Sequence, residues 1–358
     1  MRLSQLSGIG SETEKKLAEK GIVDVSQLMI YSPAKISEML KITNDDTHKL
    51  FKKARDALVK QSIIGKMFQT GSELAEEEKK REQITTGSKA LDKLFGGGVE
   101  VGETTEVYGE YGCGKSQFCH MMMVRMQLPK EQGGLATEEN PNPKGIWIDT
   151  ENTFIPARIT SISNHLGIDP KKVLDNIIVA KALNSVDQQI ILEEVSTLLV
   201  DDKTIRMIVI DSAMGLFRGD YTGRDTLSER QKFLGRFLDL ASKIASFYGL
   251  TMIWTNQVMI SPGIFYGDPV QAIGGTIMAH KSTHRVYFKK SGVKRVGKMV
   301  DSPRYAQTEV TFGLNESGLV DPEIIDEEVK IKKSEKAKLA KKKSKESTTD
   351  GDQEEEET

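Results

Sequence analysis

The chain has 358 residues, a formal net charge of −2, and 38% hydrophobic and 28% charged residues. At roughly 100–200 residues per domain that suggests two or three domains, and the composition excludes collagen-like and wholly disordered chains. No apolar run approaches the ~18 residues of a membrane span, no signal peptide is read at the start, and two cysteines six residues apart (Cys113, Cys119) exclude a disulfide framework.

Residues 1–65 read as a small helical module. Ser11 with Glu14 has the form of a capping box, and the apolar positions Leu17, Ile22, Val25 and Leu28 follow. Ser32-Pro33 starts a short helix, and a last helix is expected over 45–61 with Leu50, Phe51, Ala54 and Leu58 on one face. A module of this size has only a marginal core of its own. Residues 66–84 turn highly charged around one aromatic, Phe68, and read as a partly helical linker.

From 85 to 326 short apolar runs alternate with amphipathic stretches, which predicts an α/β domain with a mostly parallel sheet flanked by helices. Strands are expected at 106–108, 145–148, 177–179, 206–210, 251–254 and 285–288. The stretches 214–227 and 258–278 are too long for plain connections, and 129–144 reads as an exposed, mobile loop. The tail, 327–358, is polarised: 330–345 hold nine lysines against Glu335 alone, and 346–358 hold seven acids and no base, a pattern read as disorder.

The strongest chemical signal is GEYGCGKSQ at 109–117, directly after an apolar strand and before an apolar helix. This is the G-x-x-x-x-G-K-[ST] phosphate loop in the context that supports it. Gly109, Gly112 and Gly114, with Glu110, Tyr111 and Cys113 between them, let backbone N–H groups turn inward, and a helix start at Lys115 adds its dipole. Lys115 reaches the terminal phosphates, Ser116 is placed to ligate Mg²⁺, and Gln117 follows on the same helix. The apolar strand 207–210 ends in Asp211, which should face the metal's water shell. Hydrolysis also needs a carboxylate to orient water, and either Asp149 or Glu151, after the strand at 145–148, could serve.

These residues, with WIDTENTFIPARI at 147–159, the run 208–231, TNQV, FYGDP, IGGTIMAH and VDSP in order, resemble the archaeal RadA recombinases of the RecA/RadA family of DNA strand-exchange ATPases. The resemblance covers nearly the full chain and implies a RecA-type P-loop ATPase core behind a helix–hairpin–helix N-terminal domain. It implies ATP and Mg²⁺ as ligands, with K⁺ a further candidate, and filaments on single-stranded DNA that pair with duplex DNA. Recombination mediators are the other implied partners, in a cytoplasmic, nucleoid-associated setting without a membrane. Glu151 takes the position of the family's water-activating glutamate, Arg158 that of the residue packed on adenine, and Gln257 that of the γ-phosphate sensor. His280 and Asp301 match residues that complete a neighbouring subunit's nucleotide site. Arg218, Arg224 and Arg230 then belong to a first DNA-binding loop, where guanidinium forks suit phosphates and carry no sequence readout. Val258 opens a second loop whose Met259, Ile260, Ile264 and Phe265 could wedge between bases.

Phe68 on its own is either a local staple or an exported anchor. The resemblance makes Phe68-Gln69-Thr70-Gly71 a polymerisation tether, with Gly71 in place of an alanine. Further departures are Asn152 for glycine, Ile155 for a basic residue, Thr276 after the paired glycines, and Arg304-Tyr305-Ala306-Gln307 after the Asp301-Ser302-Pro303 turn. The alternative functions are an accessory ATPase that binds DNA or a recombinase without exchanging strands, and a hexameric translocase.

Overall fold

The computed structural model describes residues 1–223, 225–260 and 270–349. The N-terminal module has four helices: α1 (Ser11–Ala18), α2 (Val25–Ile30), α3 (Pro33–Leu40) and α4 (Asn44–Lys60). Ser32 caps α3 as expected, accepting from the Lys35 N–H, with Pro33 in the first turn. The capping box read at Ser11 is corrected: Gly10 is the cap, and its carbonyl accepts from Glu14 at 2.9 Å, so Ser11 is already helical. The box belongs to α2, where Asp24 accepts from Ser26 N–H while the Gln27 side chain accepts from Asp24 N–H at 3.1 Å.

The module meets the problem of its small core by sharing one. Leu17, Ile22, Leu28 and Leu58 lie in a continuous buried cluster with Leu192, Leu199 and Phe237 of the larger domain. Polar ties cross the same junction: Gln27 Nε2 donates to Thr197 Oγ1 at 3.2 Å, Thr197 Oγ1 donates to Gly21 O at 3.0 Å, and Lys35 pairs with Glu193 at 2.6 Å.

Linker helix α5 (Gly71–Glu78) is capped by Thr70 and buries none of its residues. There follow β1 (Gln83–Ile84), α6 (Lys89–Leu94), β2 (Val99–Glu100), β3 (Thr104–Gly109), α7 (Lys115–Arg125), β4 (Lys144–Asp149), α8 (Pro156–His165), α9 (Pro170–Asp175), β5 (Ile177–Lys181), α10 (Ser185–Asp201) and β6 (Ile205–Asp211). The chain continues through α11 (Gly215–Asp220), α12 (Leu227–Tyr248), β7 (Thr251–Asn256), β8 (Val258–Ile260), β9 (Val270–Ala272), α13 (Gly275–Lys281), β10 (His284–Ser291), β11 (Lys294–Asp301), β12 (Glu309–Asn315), β13 (Gly318–Val320) and α14 (Pro322–Thr349).

Nine strands form the main sheet in the order β13-β12-β11-β10-β3-β7-β6-β4-β5. Strands β10 to β5 are mutually parallel, and β10 to β13 continue antiparallel. Both faces are covered, which is why β3 and β7 are buried along their length and β6 at every position but Arg206, with Met207–Ile210 an unbroken apolar run. The carboxyl ends of β3, β4, β6 and β7 converge on one edge, where such sheets bind ligands.

Three expectations are revised. The stretch 129–144 is packed rather than mobile: Leu135 is fully buried, its N–H bonds Met126 O at 2.9 Å, and Lys130 pairs with Glu82 at 2.6 Å. The stretch 214–227 contains α11, because Phe217 is buried against Phe233 and Phe237 at 5.5 and 5.7 Å and cannot be released to solvent cheaply. The tail is helical through Thr349, since Lys, Glu, Ala and Leu are strong helix formers. Its first turn is anchored by buried Ile325, which packs at Gly313 of β12. No helix among the described residues is long and apolar enough to cross a membrane.

Candidate nucleotide site

The loop after β3 has the shape its glycines permit. Gly109, Gly112 and Gly114 have φ of +159°, +71° and +111°. A Cβ on Gly109 would stand 2.1 Å from Phe288 O, and one on Gly114 would stand 2.7 Å from Leu314 Cδ1. The loop is thus pressed beneath the β10–β12 extension, where only glycine fits. Gly114 caps α7, so the helix opens with its N–H groups toward a cavity of about 630 Å³. Gly109, Glu110, Tyr111, Gly112, Gly114, Lys115, Ser116 and Gln117 all line that cavity, whereas Cys113 is buried behind it. Burial raises the Cys113 thiol against the pull of Lys115, which keeps it protonated and inert. The Lys115 ammonium donates to Gly109 O at 2.8 Å and Glu110 O at 3.0 Å.

The geometry separates the two acids that the pattern left open. Asp149 is buried and committed to its own turn, accepting from the N–H groups of Glu151 (3.3 Å), Thr153 (3.0 Å) and Phe154 (3.2 Å). Glu151 is exposed and lines the cavity, its Oε1 accepting from the Ser212 hydroxyl at 2.6 Å and Gln257 Nε2 at 2.9 Å. Asp211, also lining the cavity, accepts from the hydroxyls of Thr153 (2.6 Å) and Thr255. One hydroxyl, Ser116, and one carboxylate, Asp211, make a donor set suited to Mg²⁺, which keeps its waters and takes phosphate oxygens for the rest. Behind the cavity, buried His120 ties α7 to the turn: Nδ1 donates to Ser116 O at 2.6 Å, and Nε2 accepts from Ile155 N–H at 3.0 Å. Burial lowers its pKa and keeps the ring neutral, as this pairing requires.

The remaining expected residues divide. Gln257 lies between β7 and β8, and its Oε1 accepts from Arg218 Nη1 at 3.2 Å, so a continuous line runs Arg218–Gln257–Glu151–Ser212. Arg218 sits on α11 and is exposed, while Arg230 is half-buried on α12, so neither is on a plain loop. Val258, on β8, lines the cavity. Arg158 lies outside the cavity lining and donates to the carbonyls of Asn315 (2.7 Å) and Glu316 (2.8 Å), bracing the β12–β13 turn beside Leu314. His280 and Asp301 are exposed and apart from the chain's own cavity. Phe68 is 84% exposed, and Gly71 begins α5. Arg224, Ile264 and Phe265 lie outside the described residues, as do the side chain of Ile260 and residues 350–358.

Sequence reading missed Ser212, Thr153 and Thr255, which position the acids; each adjoins a motif it did notice. It also missed Arg295 and Leu314, which line the cavity from β11 and β12, far along the chain.

A phosphate loop after β3 of an α/β sheet, with an acid suited to magnesium at the end of β6, one strand removed, and an exposed glutamate lining the same cavity, defines a P-loop ATPase. The Rad51 family model matches residues 77–322, and the chain belongs to that family. It is 43% identical over 322 residues to the DNA repair and recombination protein RadA of Cenarchaeum symbiosum, covering 90% of this chain and 79% of that one. It is 40% identical to the RadA of Metallosphaera sedula and 39% to that of Ignicoccus hospitalis, each over 90% of this chain and 96% of the relative. As a member of the family it is a recombinase of DNA repair and a DNA-dependent ATPase.

Proposed function

We propose that this chain forms a helical filament on single-stranded DNA with ATP and Mg²⁺ at the junction of neighbouring subunits, and that the filament pairs with homologous duplex and exchanges strands. The observation that carries this reading is the hydrogen-bonded line from Arg218 through Gln257 to Glu151. It joins the cavity to the bases of the two stretches read as DNA-contacting, so a change at either end is felt at the other. In a fixed donor frame of this kind catalysis is mainly positioning. Lys115 and the loop N–H groups bind the phosphates, and Ser116 and Asp211 hold the metal, which neutralises phosphate charge when bound. Glu151 orients the attacking water and takes its proton on Oε2, since both hydrogen bonds to its carboxylate fall on Oε1. Arg158, within reach of the β12–β13 turn, borders the adenine.

Assembly is read from two exposed surfaces. Phe68 is an aromatic with almost no local cover, and the free edge strand β5 with α10 exposes Ile178, Val179, Leu183, Val186 and Ile190. An uncovered edge strand invites pairing, so this patch is the receiver for a neighbour's Phe68. Toward the other end of the sheet from β5, Asp301 of β11 would complete the neighbour's nucleotide site with His280 of α13, and K⁺ would belong at that junction. Arg218, Arg224 and Arg230 contact DNA phosphates, and Val258 leads into the base-contacting segment. Electron microscopy on single-stranded DNA with a non-hydrolysable ATP analogue is the test. Extended filaments support the reading; closed six-membered rings that never extend overturn it.

A further inference from the structure

The loop joining β11 to β12 begins directly after Asp301 and is tightly held. The Ser302 hydroxyl accepts from the N–H groups of Arg304 (3.1 Å) and Tyr305 (3.0 Å) and bonds His284 Nδ1 at 3.0 Å. The Tyr305 hydroxyl donates to buried Glu100, and its ring covers Gly96, where a Cβ would stand 2.3 Å from the ring edge. Arg304 spreads over three acids: Nη1 to Glu100 Oε2 at 2.5 Å, Nη2 to Glu103 Oε1 at 3.5 Å, and Nε to Glu78 Oε1 at 3.2 Å.

Glu78 is the last residue of α5, the helix that follows Phe68. That helix has eight residues and buries none of them, so it has no packed face to set its direction. Among the described residues, its ion pair with Arg304 is the one side-chain bond that ties α5 to the ATPase core. One guanidinium therefore joins the helix that follows the anchor to the loop that follows Asp301.

We propose that Arg304 is a positioning residue that fixes linker helix α5, and with it Phe68, against the Asp301 loop. Docking of the anchor on a neighbour and closure over nucleotide are then set together. This rests on the reading of Asp301 and Phe68 as contacts to a neighbouring subunit. Planarity matters, because three acids in different directions need the guanidinium's fork rather than a point charge.

The test is steady-state ATP hydrolysis on single-stranded DNA by the full chain, with ATP and protein concentrations varied separately. Glu78→Lys reverses an exposed charge and leaves the buried acids paired, so it keeps the fold. It should raise the half-saturating ATP and the protein concentration needed for activity by about five-fold each, the low end of coupling between sites, with kcat nearly unchanged. Arg304→Ala should do the same or more, and Arg304→Lys should recover only part. Asp301→Asn is the control for the underlying reading. If Asp301→Asn raises half-saturating ATP while Glu78→Lys behaves as the parent, the role of Arg304 is overturned and the shared nucleotide site stands. If Asp301→Asn is also parental, the shared site itself falls.

Discussion

Asp211 and Glu151 at the cavity and Glu100 under the β11–β12 loop are all acids held by short hydrogen bonds, yet their donors differ in kind. Glu100 is paired with guanidinium groups of its own chain, Arg304 at 2.5 Å and Arg81 at 3.6 Å, with the His284 ring at 3.8 Å. Asp211 and Glu151 are held by neutral hydroxyls and an amide, and neither makes an ion pair among the described residues. A structural acid is neutralised from within, so that folding alone completes it. The acids read as functional are aimed by neutral donors and left for a metal or a water's proton to complete.

Glu151→Gln breaks the comparison most directly, because it keeps the shape and removes the charge. Hydrolysis should fall by about 10²–10⁴-fold, the range for loss of a general base, while ATP and DNA binding persist. Turnover at the parental rate would reject Glu151 as the base; Asp149 is no substitute, with both oxygens engaged in its turn. Lys115→Ala should cost about 2–5 kcal/mol of nucleotide binding by calorimetry, as for truncating a desolvated charge pair, and should abolish ATP-dependent filament extension. Unchanged affinity would mean the nucleotide binds elsewhere.

Phe68→Glu should cost at least about 2 kcal/mol of subunit association, the scale of a buried aromatic hot spot. Size-exclusion chromatography with light scattering should then show folded monomers. Parental assembly would return Phe68 to its own subunit.

The structural acid gives a pH signature. Burial alone would raise the Glu100 carboxyl, but His284, the Tyr305 hydroxyl and Arg304 outweigh it and hold the pKa down to about 2, against an ordinary 4.5. Its contribution to stability is therefore complete above pH 4.5 and is lost as pH falls toward 2. Glu100→Gln should lower the melting temperature at pH 7 and flatten the further loss through that acid window. An acid limb of unchanged slope would mean that other groups govern it.

The cavity was legible where its residues are contiguous. Residues 109–117 carry the loop, the helix start and the lysine in one stretch, and β6 announces itself by the apolar run Met207–Ile210. The extension β11–β13 was missed because β11 and β12 are half exposed and broken by charges and by Gly297 and Gly313, which flattens alternation, and β13 has only three residues. The Arg304–Glu100 bond spans 204 positions, and no local pattern signals it. Helix α11 was hidden because its one anchoring aromatic, Phe217, lies among glycines that read as loop. Local chemistry is written locally, while ties between distant elements appear only when the chain is folded.

The smallest expected effect is also the sharpest on the loops. Arg218 and Arg230 were read as equal phosphate contacts, but Arg218 is exposed and Arg230 half-buried on α12 with its Nε enclosed. An exposed guanidinium can follow a flexible strand, and one whose Nε is enclosed can offer only its outer nitrogens. Arg218→Ala should reduce the salt slope of log K for single-stranded DNA by about 0.7, one phosphate contact, and Arg230→Ala by less. Both losses should be the same for every DNA sequence, because phosphates carry none of the sequence information. Arg218→Ala also frees the Gln257 amide, so DNA should stimulate hydrolysis less even at low salt, where binding is saturated. Arg230→Ala should lack that second effect. If both variants lose stimulation equally at saturating DNA, the line through Gln257 does not carry the signal, and the two arginines act only as charge.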